Sequence, residues 1–145
     1  MINYLEEALI SIGKGELIPL RQGTVSNCFE FMKPSLLEYL PNKSLKMKFP
    51  VQKVYLNPAK CMQGGFISAA FDNAFGMLCF LATEKRAVSL DLNTNFHKPI
   101  FENDDLIITV CLKYVGKTLI NMYAEAFNIC GDLIATADSK MMFIK

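Results

Sequence analysis

A chain of 145 residues, 52% apolar and 20% charged, has the length and composition of one compact domain with its own core, not of a disordered segment. A formal net charge of +1, with no basic stripe or acidic tail, argues against nucleic acid as a partner; the scattered lysines suit at most a local anion such as a phosphate. The five cysteines (Cys28, Cys61, Cys79, Cys111, Cys130) are odd in number and show no CxxC spacing, which predicts reduced thiols and a cytoplasmic protein.

The first segment, MINYLEEALISIG, places Ile2, Leu5, Leu9 and Ile12 at helical spacing, with Gly13 and Gly15 as stop signals. It lacks the basic start and apolar block of a signal peptide. Residues 25–32 give no clear pattern. Lys33-Pro34-Ser35 then predicts a short helix over SLLEYL, because proline suits a first helical turn, and Pro41-Asn42 ends it. Residues 1–40 therefore read as a helical lead-in to a core at 45–145, the whole of 1–145 forming one domain.

A strand is predicted at about 45–56, where Met47, Phe49 and Val51 alternate with Lys46, Lys48 and Gln52 and Pro50 marks an edge or bulge. Asn57-Pro58 opens a turn, and a long apolar helix follows at 66–82. It holds one charged residue, Asp72, near its middle; that charge and its slightly short length argue against a membrane span. Val88, Leu90, Leu92, Thr94 and Phe96 then alternate with polar residues as one strand closed by Pro99. Three further strands at 106–115, 118–129 and 133–144 are joined by Gly116-Lys117 and Gly131-Asp132, a meander. Strands in a run with one central helix predict an α+β fold, an antiparallel sheet wrapped on that helix.

A carboxylate in an apolar helix needs a partner, so Asp72 is either a hydrogen-bonded structural residue or a catalytic base. Before it, Gly64-Gly65 permits close backbone approach, and the first amides of the helix have no intrahelical acceptor. These amides suit an oxyanion or a phosphate, though an ordinary turn accounts for the same glycines. Gly64 and Asp72 are eight residues apart. At about 1.5 Å per residue the separation is ~12 Å, too far for both to act on one carbonyl. If both are catalytic, the site is shared between two copies of the chain, which predicts a dimer. Ser68, Asp72 and Gly76 share one helical face; Gly76 either leaves room for a substrate or lets the helix pack closely on the sheet.

These residues resemble those of the hotdog-fold thioesterases, in particular the PaaI-like acyl-CoA thioesterases. That pattern has an Asn, a short loop, His-Gly-Gly, an Asp eight residues past the first Gly, and then a strand bearing Ser or Thr. Asn57, Gln63-Gly64-Gly65, Asp72 and Ser89 stand in those places. The segment AVSLDLNTNFHKP, the turn Val115-Gly116-Lys117-Thr118 and the hairpin from Cys130 to Ala137 resemble the family's later strands, so the likeness spans about residues 45–145.

The resemblance implies a hotdog fold and hydrolysis of an acyl-CoA or related acyl thioester by a homodimer or homotetramer, with no cofactor beyond the CoA of the substrate. Gly64 N–H would polarise the thioester carbonyl. Asp72 would activate water or attack directly as a nucleophile. Ser89 would position the water, and Asn57 would orient the water or the thioester. Gly65, Ser68 and Gly76 would border the substrate, and Lys117 and Lys98 could meet CoA phosphates. Gln63 departs from the common His: it can donate a hydrogen bond but cannot become a cation. A non-hydrolytic acyl-thioester binder is therefore the alternative. A hotdog hydratase is disfavoured, since the helix carries no His. His97, the single histidine, reads as a loop-edge residue, and Cys61 as an inert thiol. With one histidine there is no metal-ligand spacing.

Overall fold

In the computed structural model, which describes residues 27–145, the chain first makes a short helix, α1 (Asn27–Phe31). Lys33, at φ +52°, ends it in a left-handed turn. The predicted helix at 2–12 lies outside the described residues.

SLLEYL is not helical. It is strand β1 (Ser35–Leu40), paired antiparallel with β2 (Ser44–Pro50). Pro41-Asn42, read as a helix stop, is the hairpin turn between them, with Asn42 at φ +57°. Asparagine tolerates that left-handed conformation, and proline at Pro34 suits the approach to a strand as well as to a helix. Leu36 is buried and faces Met47 across the ladder, so tertiary pairing overrides the helical propensity of leucine. The helical lead-in over 1–40 is thus corrected for its last six residues.

β2 stops at Pro50, which has no N–H to extend a ladder, and Lys53–Tyr55 forms a 3-10 turn where a longer strand was expected. The long helix, α2, runs Gly64–Thr83 and ends on Glu84 at φ +56°. It is long and apolar enough to cross a membrane by length and composition alone. Here Ile67, Ala70, Phe71, Ala74, Phe75, Leu78 and Leu81 are buried in a core shared with the inward rows of the sheet, such as Leu45, Met47 and Phe49 of β2. It is not buried all round: Ser68, Asp72, Asn73 and Gly76 keep partial exposure on one face.

The single strand expected at 88–96 is two short strands, β3 (Ala87–Ser89) and β4 (Asn93–Phe96), both paired with the last strand. Asp91 breaks the run. Its carboxylate accepts the Lys140 backbone N–H at 2.7 Å and Nζ at 3.2 Å, and its carbonyl accepts Ser139 Oγ at 2.7 Å. Val88, Leu90 and Phe96, apolar members of the alternating run, are 44%, 53% and 53% exposed at the sheet edge.

The meander is as expected: β5 (Asp105–Val115), β6 (Leu119–Phe127) and β7 (Leu133–Phe143) are antiparallel neighbours. Seven strands form one sheet in the order β1-β2-β5-β6-β7-β3, with β4 also on β7. Inward rows such as Leu106, Ile108 and Val110 of β5 and Ile120, Met122 and Ala124 of β6 are buried. One long helix held by an antiparallel sheet is the hotdog fold.

Candidate active site

The site is assembled from the loop before α2, the open face of α2 and the β3–β4 edge. Asn57 builds the loop. Its Oδ1 accepts the amides of Ala59 at 2.9 Å and Cys61 at 3.3 Å, and its own N–H donates to the Cys61 carbonyl at 2.9 Å. The side-chain carbonyl is thus committed to the loop, and Nδ2 is the part of Asn57 left to meet a ligand. Cys61 Sγ lies 3.5 Å from the same Oδ1, which suits a structural thiol.

The loop delivers Gln63 to the N-cap of α2, in extended conformation. Its N–H donates to the Tyr55 carbonyl at 2.8 Å, and its carbonyl accepts from Phe66 at 3.0 Å and Ile67 at 3.2 Å. With the third and fourth amides taken, those of Gly64 and Gly65 find no acceptor among the described residues, as the geometry of a helix start requires. The Gln63 side chain makes no cap bond and is exposed. A Cβ on Gly64 would lie 3.0 Å from Cζ of Phe96, whereas one on Gly65 would meet nothing within 4 Å. Phe96 therefore walls one side of the helix mouth and Gly65 leaves the other open.

Two turns further along, Ser89 Oγ donates to Asp72 Oδ1 at 2.6 Å. This joins the two residues expected to act together, across the gap between α2 and β3. Asp72 is half-exposed within one chain, not buried as a lone carboxylate in an apolar helix would suggest; the uncovered face explains the difference. One turn earlier, Ser68 Oγ donates to Thr94 Oγ1 at 3.0 Å, so its hydroxyl ties helix to sheet. One turn later, a Cβ on Gly76 would meet nothing within 4 Å, so this glycine leaves open space beside the carboxylate and is not a close-packing contact.

The two lysines differ. Lys98 Nζ is paired with Asp132 Oδ1 at 3.2 Å. Asn128 and then Lys98 hold the Asp132 carboxyl below its ordinary range. Lys117 is exposed in the β5–β6 turn, with no ion pair among the described residues. His97 shares a hydrogen bond with Thr136 Oγ1 at 3.1 Å. All five cysteines are free thiols. Among the described residues no group of three His, Cys, Asp or Glu side chains could hold a metal ion.

The thioesterase superfamily model matches residues 61–135, just over half of the 145-residue chain. The chain belongs to the thioesterase superfamily. No curated protein sequence matches it. Among solved structures it is similar to the Escherichia coli PaaI protein from the phenylacetic acid degradation operon, at TM-score 0.79 and 17% identity over 99% of this chain and 95% of that one. A Streptococcus mutans protein solved bound to acetyl-CoA follows at TM-score 0.76 and 20% identity, over 87% and 96% of the two chains. A hypothetical thioesterase protein from Streptococcus pneumoniae solved with coenzyme A matches at TM-score 0.73 and 20% identity, over 80% and 94%. At these identities the likeness is one of fold, the hotdog fold of PaaI-like proteins.

In this superfamily member the sequence pattern alone leaves out Thr94, Phe96 and Tyr55. Thr94 and Phe96 sit in a period-two run that places them in a row without naming their partners on α2. Tyr55 acts through its backbone carbonyl, which no side-chain pattern marks.

Proposed function

We propose that the protein hydrolyses an acyl-CoA thioester to a free acid and CoA. The observation that carries this reading is the 2.6 Å bond from Ser89 Oγ to Asp72 Oδ1 on the open face of a helix whose first amides are unclaimed. Coenzyme A and acetyl-CoA in the two streptococcal neighbours support the choice of thioester.

In one chain the Gly64 amide and Asp72 are eight residues apart on a helix, about 12 Å, so the reacting carbonyl lies between two copies. The exposed Val88, Leu90 and Phe96 at the sheet edge support such a pairing, as a dimer or a tetramer. Ser89 occupies one carboxylate oxygen and leaves Oδ2 to take a proton from water. The water oxygen adds to the thioester carbon, and the carbonyl oxygen, now negative, accepts from the Gly64 N–H of the other copy. Collapse breaks the C–S bond, and the proton held by Asp72 passes to the leaving thiolate. Direct attack by Asp72 through an anhydride gives the same products. Asn57 Nδ2 and the exposed Gln63 amide are the groups that orient the thioester. Gly76 makes room for the acyl chain, and Lys117 is the better placed lysine for a CoA phosphate, since Lys98 is already paired.

A thioester binder without turnover is the second reading, favoured by Gln63, which cannot supply a cation. Thiol release from acetyl-, hexanoyl-, palmitoyl- and benzoyl-CoA separates the two. Hydrolysis predicts release by wild type and its loss in Asp72→Asn. Binding without release, or equal release by both proteins, contradicts the reading.

A further inference from the structure

The helix mouth is braced from behind by residues outside the catalytic pattern. Gln52 Nε2 donates to the Phe31 carbonyl at 2.8 Å and to the Tyr55 hydroxyl at 2.6 Å. Tyr55 is fully buried, and burial pushes its hydroxyl above the ordinary tyrosine range. Its ring packs on Phe66, in the first turn of α2, at 4.7 Å between centroids, and edge-on to Phe31 at 6.0 Å. Its carbonyl accepts the Gln63 N–H at 2.8 Å. A second tie joins the same elements: Asn73 Nδ2 donates to Met32 Sδ at 3.3 Å and Cys28 Sγ at 3.6 Å.

We infer that Gln52 and Tyr55 are positioning residues that couple α1 to the Gly64 and Gly65 amides. Gln63 precedes Gly64 directly: the bond from Gln63 N–H to the Tyr55 carbonyl anchors the peptide on one side of the Gln63 Cα, and only φ and ψ of Gln63 separate it from the peptide that bears the Gly64 N–H. Tyr55 in turn is fixed by Gln52 at its hydroxyl and by two rings at its sides. A buried aromatic with a satisfied hydroxyl has few alternative rotamers, so one amide forks its control to both α1 and the mouth. Phe96 limits the mouth on the opposite side at Gly64. An oxyanion donor works only where its N–H already points at the developing charge, so a small rotation of this peptide lowers turnover without releasing substrate.

The inference rests on the hydrolase reading for its effect on turnover, and two readouts keep the ideas apart. Gln52→Ala removes both donors at a half-exposed position. Tyr55→Phe keeps the ring and the backbone carbonyl and loses only the hydroxyl, so it guards against a variant that fails to fold. Both are assayed for thiol release on the four acyl-CoAs, and their Gly64 and Gly65 amide resonances are compared with wild type in ¹⁵N spectra. Gln52→Ala is expected to lower kcat about tenfold with KM unchanged, and Tyr55→Phe to lower it less, with both glycine resonances displaced. A fall in thermal stability with kcat intact overturns the inference, as do glycine resonances that stay in place. Glycine resonances displaced in the variants, with no thiol released even by wild type, would uphold the coupling and remove the hydrolase reading instead.

Discussion

Gly64 lies under the ring of Phe96, so close that a single added methyl group would sit 3.0 Å from Cζ. Two substitutions at Gly64 separate space from chemistry. Gly64→Ala keeps the N–H and only pushes aside a half-exposed ring, so kcat is expected to fall less than tenfold. Gly64→Pro deletes the N–H at a first helical position, which accepts proline, and follows Gln63 in the extended conformation that proline requires. If the amide is the oxyanion donor, kcat falls by about 10²–10³. Steady-state kinetics on folded proteins checks the difference.

Ser89 bonds one oxygen of Asp72. Ser89→Ala removes a charge-assisted hydrogen bond worth about 1.5–3 kcal/mol, so kcat is expected to drop roughly 10–100-fold with KM little changed. Ser89→Thr retains the hydroxyl and should recover most of the rate. Equal rates for all three proteins in a thiol-release assay would remove Ser89 from the site.

Gly76 has open space where a side chain would go. Gly76→Ala should stabilise the helix by about 0.5–1 kcal/mol, seen as a rise in Tm. Gly76→Leu should lower kcat/KM for palmitoyl-CoA and benzoyl-CoA while sparing acetyl-CoA. Uniform loss across the four substrates would place the acyl chain elsewhere.

The extent to which this site can be read from residues alone follows from the physics of each element. α2 is legible because its apolar run is long, and the β5–β7 meander because turn residues punctuate it. SLLEYL misleads because six residues with three leucines satisfy a helix as well as a strand, and only pairing of Leu36 with Met47 decides. The 88–96 run hides its break because Asp91 fits the polar side of an alternating pattern; its real partners, Ser139 and Lys140, lie 48 and 49 residues away. Asp72 and Gly64 stand out because a lone charge interrupts an apolar helix and a glycine pair precedes it, whereas Ser89 is picked out only by the resemblance to the PaaI-like thioesterases. Tyr55 and Thr94 do not, since their roles exist only through contacts distant in the chain.

Asp91 pins the bend that carries Ser89. The Lys140 backbone N–H, ahead of the Lys140 side chain, lowers its carboxyl below the ordinary value of 3.8. A carboxyl depressed in the folded state adds stability above the unfolded value and loses it as pH falls through the folded one. Asp91→Asn should therefore lower stability at neutral pH and flatten its decline below about pH 4, by an amount kept small by exposure. Urea titrations at pH 7 and pH 3 read the effect.

The central claim is that the carboxylate of one copy and the helix-mouth amide of another act on one thioester. A heterodimer carrying Asp72→Asn on one differently tagged chain and Gly64→Pro on the other contains one doubly damaged site and one intact site if the residues act across the interface. Its thiol release is predicted to reach about half of the wild-type dimer rate while each variant homodimer stays near background. A heterodimer no more active than the two homodimers would contradict the shared site.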